Sequence, residues 1–408
     1  MIEISGWAES DVGKVRETNE DRYYCNPELG VFAVADGIGG KPGGEVASQA
    51  VVDGIAACAG EFREFIETKS FPLTKSDRDD IFAHLTGSVQ AINHQVYHRA
   101  TTDGFPRGIG STLDLVVLAP AGAFVLHVGD SRVYLVRDDE IFRITSDHTF
   151  EQHLRNNPVL QGDHKSPEKY SHVLTNSIGR APGIEIDQLF VDIRSGDRLI
   201  ACSDGITDYL GGQEILEFCK RDDKDLPRRL IETANERGGK DNSTVVVAAV
   251  TGDGDARFVK RPTRPDTFQR VRFLDTIELF AELEFQELLK VVRYLHSQQY
   301  NAGEAVVSQG DEVDGLYFVM HGELIVEVDG RQISTVGPDE HFGEFALFGK
   351  PARSADVRCH KDCQVLFMRG KDLKRLVREE PVLGNKLLIS LLGRTSQIIQ
   401  EMLEDSNS

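Results

Sequence analysis

The sequence is short of positive charge, of tryptophan and of long apolar runs. Its 408 residues contain 46 Lys and Arg against 66 Asp and Glu, a formal net charge of −20, and a single Trp. This acidic balance repels phosphate backbones, so we expect no nucleic-acid partner. No apolar run reaches the roughly 20 residues that cross a bilayer. The first residues show no signal-peptide pattern. We therefore expect a cytoplasmic protein without a membrane partner.

Cysteine is scarce as well. The six Cys residues are scattered without CxxC spacing, which indicates neither a disulfide framework nor a zinc site. The one close pair, Cys359 and Cys363 with His360 between them, is interpreted as part of a strand or turn. We expect six free thiols.

The arrangement of apolar segments divides the chain. Residues 1–250 alternate short apolar runs that end in Gly-rich turns with stretches of helical period, an α+β pattern. Residues 251–266 have two Pro, two Gly and no apolar periodicity, as linkers do. From 267 to 408, an amphipathic stretch precedes short strands with a Gly every five to eight residues, which predicts a small barrel or roll. A final helical pattern is broken at Pro381.

Three aspartates of the first domain stand at the edges of apolar strands. Asp36 and Asp204 each follow such a run, and Asp241 precedes another. A carboxylate at the end of a buried strand is costly unless a cation or strong donors face it. No Lys or Arg keeps a constant offset from the three, so a metal ion is the simpler partner.

Further carboxylates support this interpretation. Glu20 and Asp21 adjoin near the N-terminus, and Asp130 follows another apolar run. These ligands are all oxygen atoms, which fit Mg²⁺ or Mn²⁺. No Cys or His keeps a regular spacing from them, which argues against zinc. An isolated Asp-Gly pair is usually a β-turn, but several on strand ends favour a metal site.

Residues 1–250 contain seven motifs in a fixed order. They are D-x-G-x-x-R-x-x-N-E-D (11–21), V-A-D-G-x-G-G (34–40), G-S-T (110–112), G-D-S-R (129–132), T-x-D-H (145–148), S-D-G-x-x-D (203–208) and K-D-N-S-T (240–244). In this order they resemble the type 2C metal-dependent protein Ser/Thr phosphatases. The resemblance implies a four-layer αββα sandwich with a two-metal centre at one end.

The resemblance also assigns roles to the carboxylates. Asp36 would bridge two Mg²⁺ or Mn²⁺ ions, Asp204 and Asp241 would hold one, and Glu20 with the Gly37 carbonyl would hold the other. Asp21 would orient a bound water. A third ion, as in bacterial members, would use Asp130 and Asp208 together with Asp204. Two such ions activate a water and neutralise a phosphomonoester without a covalent intermediate.

Two further positions bear on the chemistry. Arg16 occupies the place of the family's phosphate-binding arginine, and its planar fork suits two phosphate oxygens. Ile38 stands where eukaryotic members carry a His proposed as general acid, and it cannot give a proton. His148 and His153 are possible alternatives, although a surface His is the favoured description of each. The polar stretch 151–180 matches the family's mobile flap.

The second domain carries a phosphate cradle. Between 342 and 357, a Gly and a short apolar segment precede Arg353. Backbone N–H groups of this segment and the Arg353 guanidinium can therefore face a phosphodiester. The Glu344 carboxylate can accept a hydrogen bond from a hydroxyl. With the pattern Q-G-D-x-x-D-x-x-Y-x-V-x-x-G-x-L from 309 to 324, this resembles cyclic nucleotide-binding domains. By that resemblance a β-roll binds the nucleotide through Gly343, Glu344, Ala346, Arg353, Ser354 and Ala355.

The base of the nucleotide is less defined. A hydroxyl after the Arg favours guanine in some kinases, yet bacterial cAMP receptors carry Ser at the position of Ser354, so we favour cAMP over cGMP. A roll that has lost its ligand and serves only for docking is the alternative.

The hypothesis from sequence is a phosphoprotein phosphatase regulated by a cyclic nucleotide. The rival is a phosphatase fold kept as a nucleotide-dependent scaffold. A transcription regulator is a third option, but about 35 residues after the roll are too few for a DNA-reading domain. The apolar positions of the last helix favour packing on its own roll, with docking on the phosphatase domain or pairing of subunits in a homodimer as alternatives; they are Leu387, Leu388, Leu391, Leu392, Ile398, Ile399 and Met402.

Overall fold

This computed structural model describes residues 3–38, 43–102, 105, 109–120, 122–156, 167–221, 223–252, 266–312, 315–343 and 352–405. The chain forms two compact units, Met1–Lys260 and Arg261–Ser408. The predicted linker, 251–266, lies mostly outside the described residues, so its limits stay a prediction. No helix in the described ranges combines the length and apolarity needed to span a membrane.

The strands of the first unit build two antiparallel sheets. They are β1 (Glu3–Asp11), β2 (Arg22–Asn26), β3 (Val31–Ala35), β4 (Gly37–Ile38), β5 (Gly110–Ser111), β6 (Leu113–Ala119), β7 (Gly122–Val128), β8 (Arg132–Arg137), β9 (Glu140–Arg143), β10 (Asp187–Val191), β11 (Arg198–Cys202) and β12 (Ser243–Thr251). One sheet has the order β1-β12-β11-β8-β9 and the other β10-β7-β6-β3-β2, while β4 and β5 form a small separate pair.

The helices of this unit follow the periodic stretches of the sequence. They are α1 (Gly44–Glu67), α2 (Lys75–Thr102), α3 (Phe150–Arg155), α4 (Asp204–Thr207), α5 (Gly212–Cys219) and α6 (Leu226–Glu236). In α1 the buried positions Ala47, Val51 and Ile55 recur every four residues, the spacing that places side chains on one face of a helix.

The two sheets face each other, and helices cover their outer faces. In β3 every residue is buried because both faces of the strand are covered. Val31, Ala33 and Ala35 join the core formed with α1 and α2. Phe32 points the opposite way, toward β1, where a Cβ on Gly6 would lie 2.6 Å from its ring. A second core packs β11 and β12 against α5 and α6. The predicted αββα sandwich is confirmed.

The second unit is a roll of two four-stranded antiparallel sheets. Its strands are β13 (His296–Tyr300), β14 (Ala305–Val307), β15 (Gly315–His321), β16 (Leu324–Val328), β17 (Arg331–Val336), β18 (His341–Phe342), β19 (Asp356–Cys359) and β20 (Cys363–Arg369). The sheets have the orders β13-β20-β15-β18 and β14-β19-β16-β17. Val319, Leu324 and Val365 are fully buried in a shared core. The predicted β-roll is confirmed.

Helices precede and follow the strands of the roll along the chain. They are α7 (Thr267–Asp275), α8 (Phe285–Val292), α9 (Gly370–Glu379) and α10 (Pro381–Asp405). The break between α9 and α10 falls at Pro381 as predicted, since proline pushes the preceding residue out of the helical region. Leu387 and Leu391 are buried, whereas Leu392 is 56% exposed. The homodimer through α10 stays a prediction.

Candidate functional site

The strand-end carboxylates meet at one end of the sandwich. Asp36 follows β3, Asp204 comes just after β11, and Asp241 just before β12, which pairs with β11 in antiparallel register. Burial raises the pKa of Asp36 well above its usual range, and four neighbouring carboxylates raise it further. These neighbours are Asp21, Asp204, Asp130 and Asp241. The structure thus brings together five aspartates that sequence analysis selected.

Asp21 is enclosed beneath this cluster. The Ser203 hydroxyl donates to its Oδ2 at 2.7 Å. Burial raises the pKa of Asp21 to about 7, and hydrogen bonds from Ser203 and Thr244 only partly offset it. A pKa raised this far means that the surroundings disfavour the ionised carboxylate. A cation bound beside Asp21 would stabilise that ionised form.

Glu20 is held by contacts to its backbone. Its N–H donates to Asn242 Oδ1 at 2.8 Å, and its carbonyl accepts from Ser48 Oγ at 2.5 Å. The side chain packs so closely on α1 that a Cβ on Gly44 would clash with Glu20 Oε2. A Cβ on Gly37 would lie 2.6 Å from the Glu20 carbonyl oxygen. Glycine at both positions lets Glu20 and Gly37 approach as the predicted metal site requires.

Asp130 and Asp208 extend the cluster. The pKa of Asp130 is raised to about 7. Burial is the largest cause, and repulsion from the carboxylates of Asp204 and Asp147 comes next. The pKa of Asp208 is raised by burial and then by Asp204. The structure therefore groups both residues with Asp204, as the prediction of a third ion requires.

The G-S-T and G-D-S-R motifs are joined by hydroxyl contacts. Thr112 Oγ1 accepts from the Asp36 N–H at 2.9 Å and lies 2.8 Å from Ser131 Oγ. Thr112 therefore ties the Asp36 turn to the turn that carries Asp130.

These residues fit divalent cations. The donors are oxygen atoms, the carboxylates repel one another, and the buried Asp204 Oδ1 has no hydrogen-bond partner among the described residues. A buried carboxylate oxygen without a donor is costly, and a hard cation that binds oxygen removes that cost.

Arg16 stands at the solvent side of the carboxylates. Its Nη2 donates to Asp241 Oδ2 at 2.5 Å, and its side chain is half-exposed. The guanidinium thus lies next to a predicted metal ligand and remains open to an incoming phosphate group.

The description of His148 as a surface residue is wrong. Its side chain is only 16% exposed. Its Nδ1 accepts from the Gly129 N–H at 3.2 Å and lies 3.0 Å from Asn176 Nδ2, while Nε2 faces Asp187. Contacts with Gly129, Asn176 and Asp187 therefore hold the ring in place. His153, the other predicted alternative, has an exposed side chain.

Sequence analysis missed His172, the histidine beside the carboxylates. Its Nδ1 lies 3.9 Å from Asp204 Oδ2. The nearby carboxylate of Asp204 raises the pKa of His172 to about 9, despite some burial. No sequence signal marked it, since it lies in an irregular polar segment without a fixed spacing from any motif.

A second missed feature is a buried pair behind the Asp130 turn. Asp114 and His127 are cross-strand partners in β6 and β7, both fully buried, with Nδ1 to Oδ1 at 2.7 Å. Nε2 of the same ring lies 2.9 Å from the Ser146 carbonyl. A carboxylate and a carbonyl only accept, so this geometry favours a ring with a proton on each nitrogen. Burial lowers the pKa of His127, but Asp114 raises it more. The signal was present: one acid and one histidine in two otherwise apolar strands.

In the second unit, Arg353 is anchored at the predicted nucleotide site. It is 8% exposed, donates from Nη2 to the Gly315 carbonyl at 3.0 Å, and stacks over Tyr317 at 5.4 Å. Its backbone pairs with Gly310 and Asp311, in the predicted motif. These contacts fix the guanidinium before any ligand arrives.

The other predicted nucleotide ligands are distributed around it. Gly343 has φ 104°, and a Cβ there would lie 2.6 Å from the Gly315 carbonyl oxygen and 2.8 Å from Arg353 Nη1, so only glycine fits. Ser354 is exposed and Ala355 half-buried. Glu344 and Ala346 lie outside the described residues.

The folds and sites define a two-unit protein: an αββα sandwich with a carboxylate centre, and a β-roll with a buried arginine. A sequence model for protein phosphatase 2C matches residues 14–242, and one for the cyclic nucleotide-binding domain matches residues 297–380. The chain belongs to the protein phosphatase 2C family and carries a C-terminal cyclic nucleotide-binding domain.

Named relatives agree with this assignment. The serine/threonine protein phosphatase PstP of Mycobacterium tuberculosis strain H37Rv is 34% identical over 305 residues, 65% of this chain and 55% of PstP. Protein phosphatase PhpP of Streptococcus pneumoniae strain R6 is 30% identical over 246 residues, 59% of this chain and 95% of PhpP. The chain thus spans about half the length of PstP.

Solved structures show the same fold. The serine/threonine phosphatase PstP/Ppp of Mycobacterium tuberculosis matches with a TM-score of 0.53 at 32% identity, covering 61% of this chain and all of that one. The PstP catalytic domain in complex with two manganese ions matches with a TM-score of 0.51 at 33% identity, covering 62% of this chain and all of that one.

Proposed function

We propose that this protein is a metal-dependent protein serine/threonine phosphatase regulated by a cyclic nucleotide, with cAMP favoured over cGMP. The observation that carries the proposal is the group of mutually repelling carboxylates around Asp36, of which Asp21 and Asp130 are buried, together with the unpartnered Asp204 Oδ1. The relatives' names and the manganese in the PstP structure support the same chemistry.

The carboxylates would hold Mg²⁺ or Mn²⁺ ions. Asp36 would be shared by two groups of ligands, Asp204 with Asp241 and Glu20 with the Gly37 carbonyl, and Asp130 with Asp208 would form a third group together with Asp204. When bound, the ions would supply Lewis-acid chemistry, activating water and neutralising phosphate charge. Asp21, fixed by Ser203, would accept a hydrogen bond from the attacking water and orient it.

Arg16 would bind the phosphate of a phosphoserine or phosphothreonine substrate. Its guanidinium already lies at the solvent side of Asp241 and offers further N–H donors to phosphate oxygens. Ile38 gives no proton, so the leaving alkoxide must take its proton from a water or another group.

Arg16→Ala should mainly raise KM for small phosphomonoesters and change kcat less. Arg16 contacts the substrate in both the ground state and the transition state, and a lost contact of that kind appears in KM. Steady-state kinetics with p-nitrophenyl phosphate measure both constants. Arg63→Ala is the control and should leave KM unchanged, since Arg63 is a partly exposed arginine on α1 that pairs with Glu67. A loss confined to kcat contradicts this role.

The second unit would sense the nucleotide. Its fixed Arg353 can pair with a cyclic phosphate, and binding would shift the activity of the catalytic unit. A tenfold to hundredfold difference in affinity between two states supplies about 1.4 to 2.7 kcal/mol of coupling, enough for a switch. We also propose the domain limits 1–250, 251–266 and 267–408.

One assay tests the proposal. p-Nitrophenyl phosphate should be hydrolysed with Mn²⁺, not with EDTA, and cAMP or cGMP should change the rate. Phosphopeptides should be hydrolysed under the same conditions. Metal-dependent turnover that no nucleotide alters would remove the regulatory half of the proposal. Nucleotide binding without any turnover would favour the scaffold instead.

A further inference from the structure

His172 lies within coordination reach of two predicted metal ligands. One of its ring nitrogens and one carboxylate oxygen from each of Asp204 and Asp208 lie within 4.8 Å of one another. Donors that share an ion through bonds of about 2.0–2.2 Å stand at most about 4.4 Å apart. Small side-chain movements would therefore let all three converge on one ion. The His172 side chain is 66% exposed, so it has room to move.

A second observation points to a cation bound by Asp204. Asp204 Oδ1 is buried and makes no hydrogen bond with any described residue, while Asp204 Oδ2 faces His172. An oxygen in that state lacks a positive partner. A cation among these three side chains supplies one.

We propose that His172 turns the site at Asp204 and Asp208 into a mixed nitrogen and oxygen site that prefers Co²⁺ or Zn²⁺ over Mg²⁺. The proposal deepens the proposed function, on which it rests for the role of Asp204. Imidazole suits transition metals, whereas Mg²⁺ prefers oxygen and keeps its waters. His172 binds as the neutral ring through Nδ1, and any proton on that nitrogen passes to solvent.

Pulsed electron paramagnetic resonance of the full chain loaded with Mn²⁺ tests the ligand directly. Electron spin echo envelope modulation detects a nitrogen bound to the ion, and all other predicted ligands are oxygen. We expect nitrogen modulation in the wild type and its loss in His172→Ala. His94→Ala, an exposed histidine on α2, is the control and should keep the signal. Absence of modulation in the wild type, or its persistence in His172→Ala, overturns the proposal.

Calorimetric titration with Co²⁺ and Mg²⁺ tests the selectivity. His172→Ala should weaken Co²⁺ binding at one site by at least about tenfold, since even indirect contacts of a metal site are worth that much. Mg²⁺ binding should change by less than about twofold. Equal losses for both ions contradict the proposal. Neither measurement needs turnover, so the two proposals can fail separately. If the protein is inactive but shows the nitrogen ligand, only the phosphatase proposal is rejected. If the protein is active but shows no nitrogen ligand, only the His172 proposal is rejected.

Discussion

Asp36→Asn should lower kcat with saturating Mn²⁺ by at least about a hundredfold, because the residue lies at the centre of the proposed metal cluster and the loss dismantles both principal sites. The amide keeps the size of the side chain and removes its charge. Asp53→Asn, an exposed residue on α1, is the matched control and should retain the wild-type rate. Turnover of Asp36→Asn equal to the wild type, or wild-type turnover that survives EDTA, contradicts the two-metal proposal.

The same variant has a stability readout that separates a lost ligand from a lost fold. Burial and four carboxylates raise the pKa of Asp36, so the folded metal-free protein binds a proton more readily than the unfolded chain. Its free energy of unfolding therefore falls as pH rises above the ordinary Asp range. Asn carries no charge, so metal-free Asp36→Asn should have a Tm at pH 7 no lower than the wild type. Mn²⁺ should raise the Tm of the wild type more than that of the variant.

Much of the first unit could be predicted from sequence because its constraints are local. Asp36, Asp204 and Asp241 each adjoin an apolar strand, and a charge at such a place has few physical explanations. The helical periods of α1 and α2 likewise depend on residues close in the chain. The same holds for the break at Pro381 in the second unit. The position of these elements in two facing sheets came from the family resemblance, and the structure agrees with it.

The residues that sequence analysis missed or described wrongly depend on contacts between distant segments. His172 is 32 residues from Asp204, and His148 is 28 residues from Asn176. The pairing of Asp114 with His127 depends on the strand register of β6 and β7. A shift of one residue would place these side chains on opposite faces of the sheet. Spacing in the sequence does not define such a register.

The roll shows the same division between local and distant signals. Gly residues at regular intervals predicted its short strands, and Arg353 was selected from its place after the Gly-rich segment. That Arg353 donates to Gly315 and stacks on Tyr317, 38 and 36 residues away, could not be predicted from spacing. These contacts explain why Gly343 tolerates no side chain, because a Cβ at this position would overlap the Arg353 guanidinium and the Gly315 carbonyl oxygen.

Arg353→Ala should weaken cAMP or cGMP binding to the full chain by at least about a hundredfold, roughly 3 kcal/mol. The guanidinium is buried and held by Gly315 and Tyr317, so it pairs with a phosphate at little cost in entropy, and its removal leaves that phosphate without a charged donor. Glu344→Ala should cost less, about 1.5 to 3 kcal/mol, since one hydroxyl contact to a charged acceptor is lost. Isothermal titration calorimetry measures both.

The phosphatase rate provides the control for that variant. Arg353 lies in the second unit, so Arg353→Ala should keep the basal rate with Mn²⁺ while any effect of the nucleotide on that rate disappears. Arg358→Ala, an exposed arginine on β19 paired with Glu327, should preserve both binding and regulation. If the wild type binds neither nucleotide at millimolar concentration, the sensor proposal fails. If Arg353→Ala binds as tightly as the wild type, the nucleotide phosphate is held by other groups, and the site must lie elsewhere in the roll.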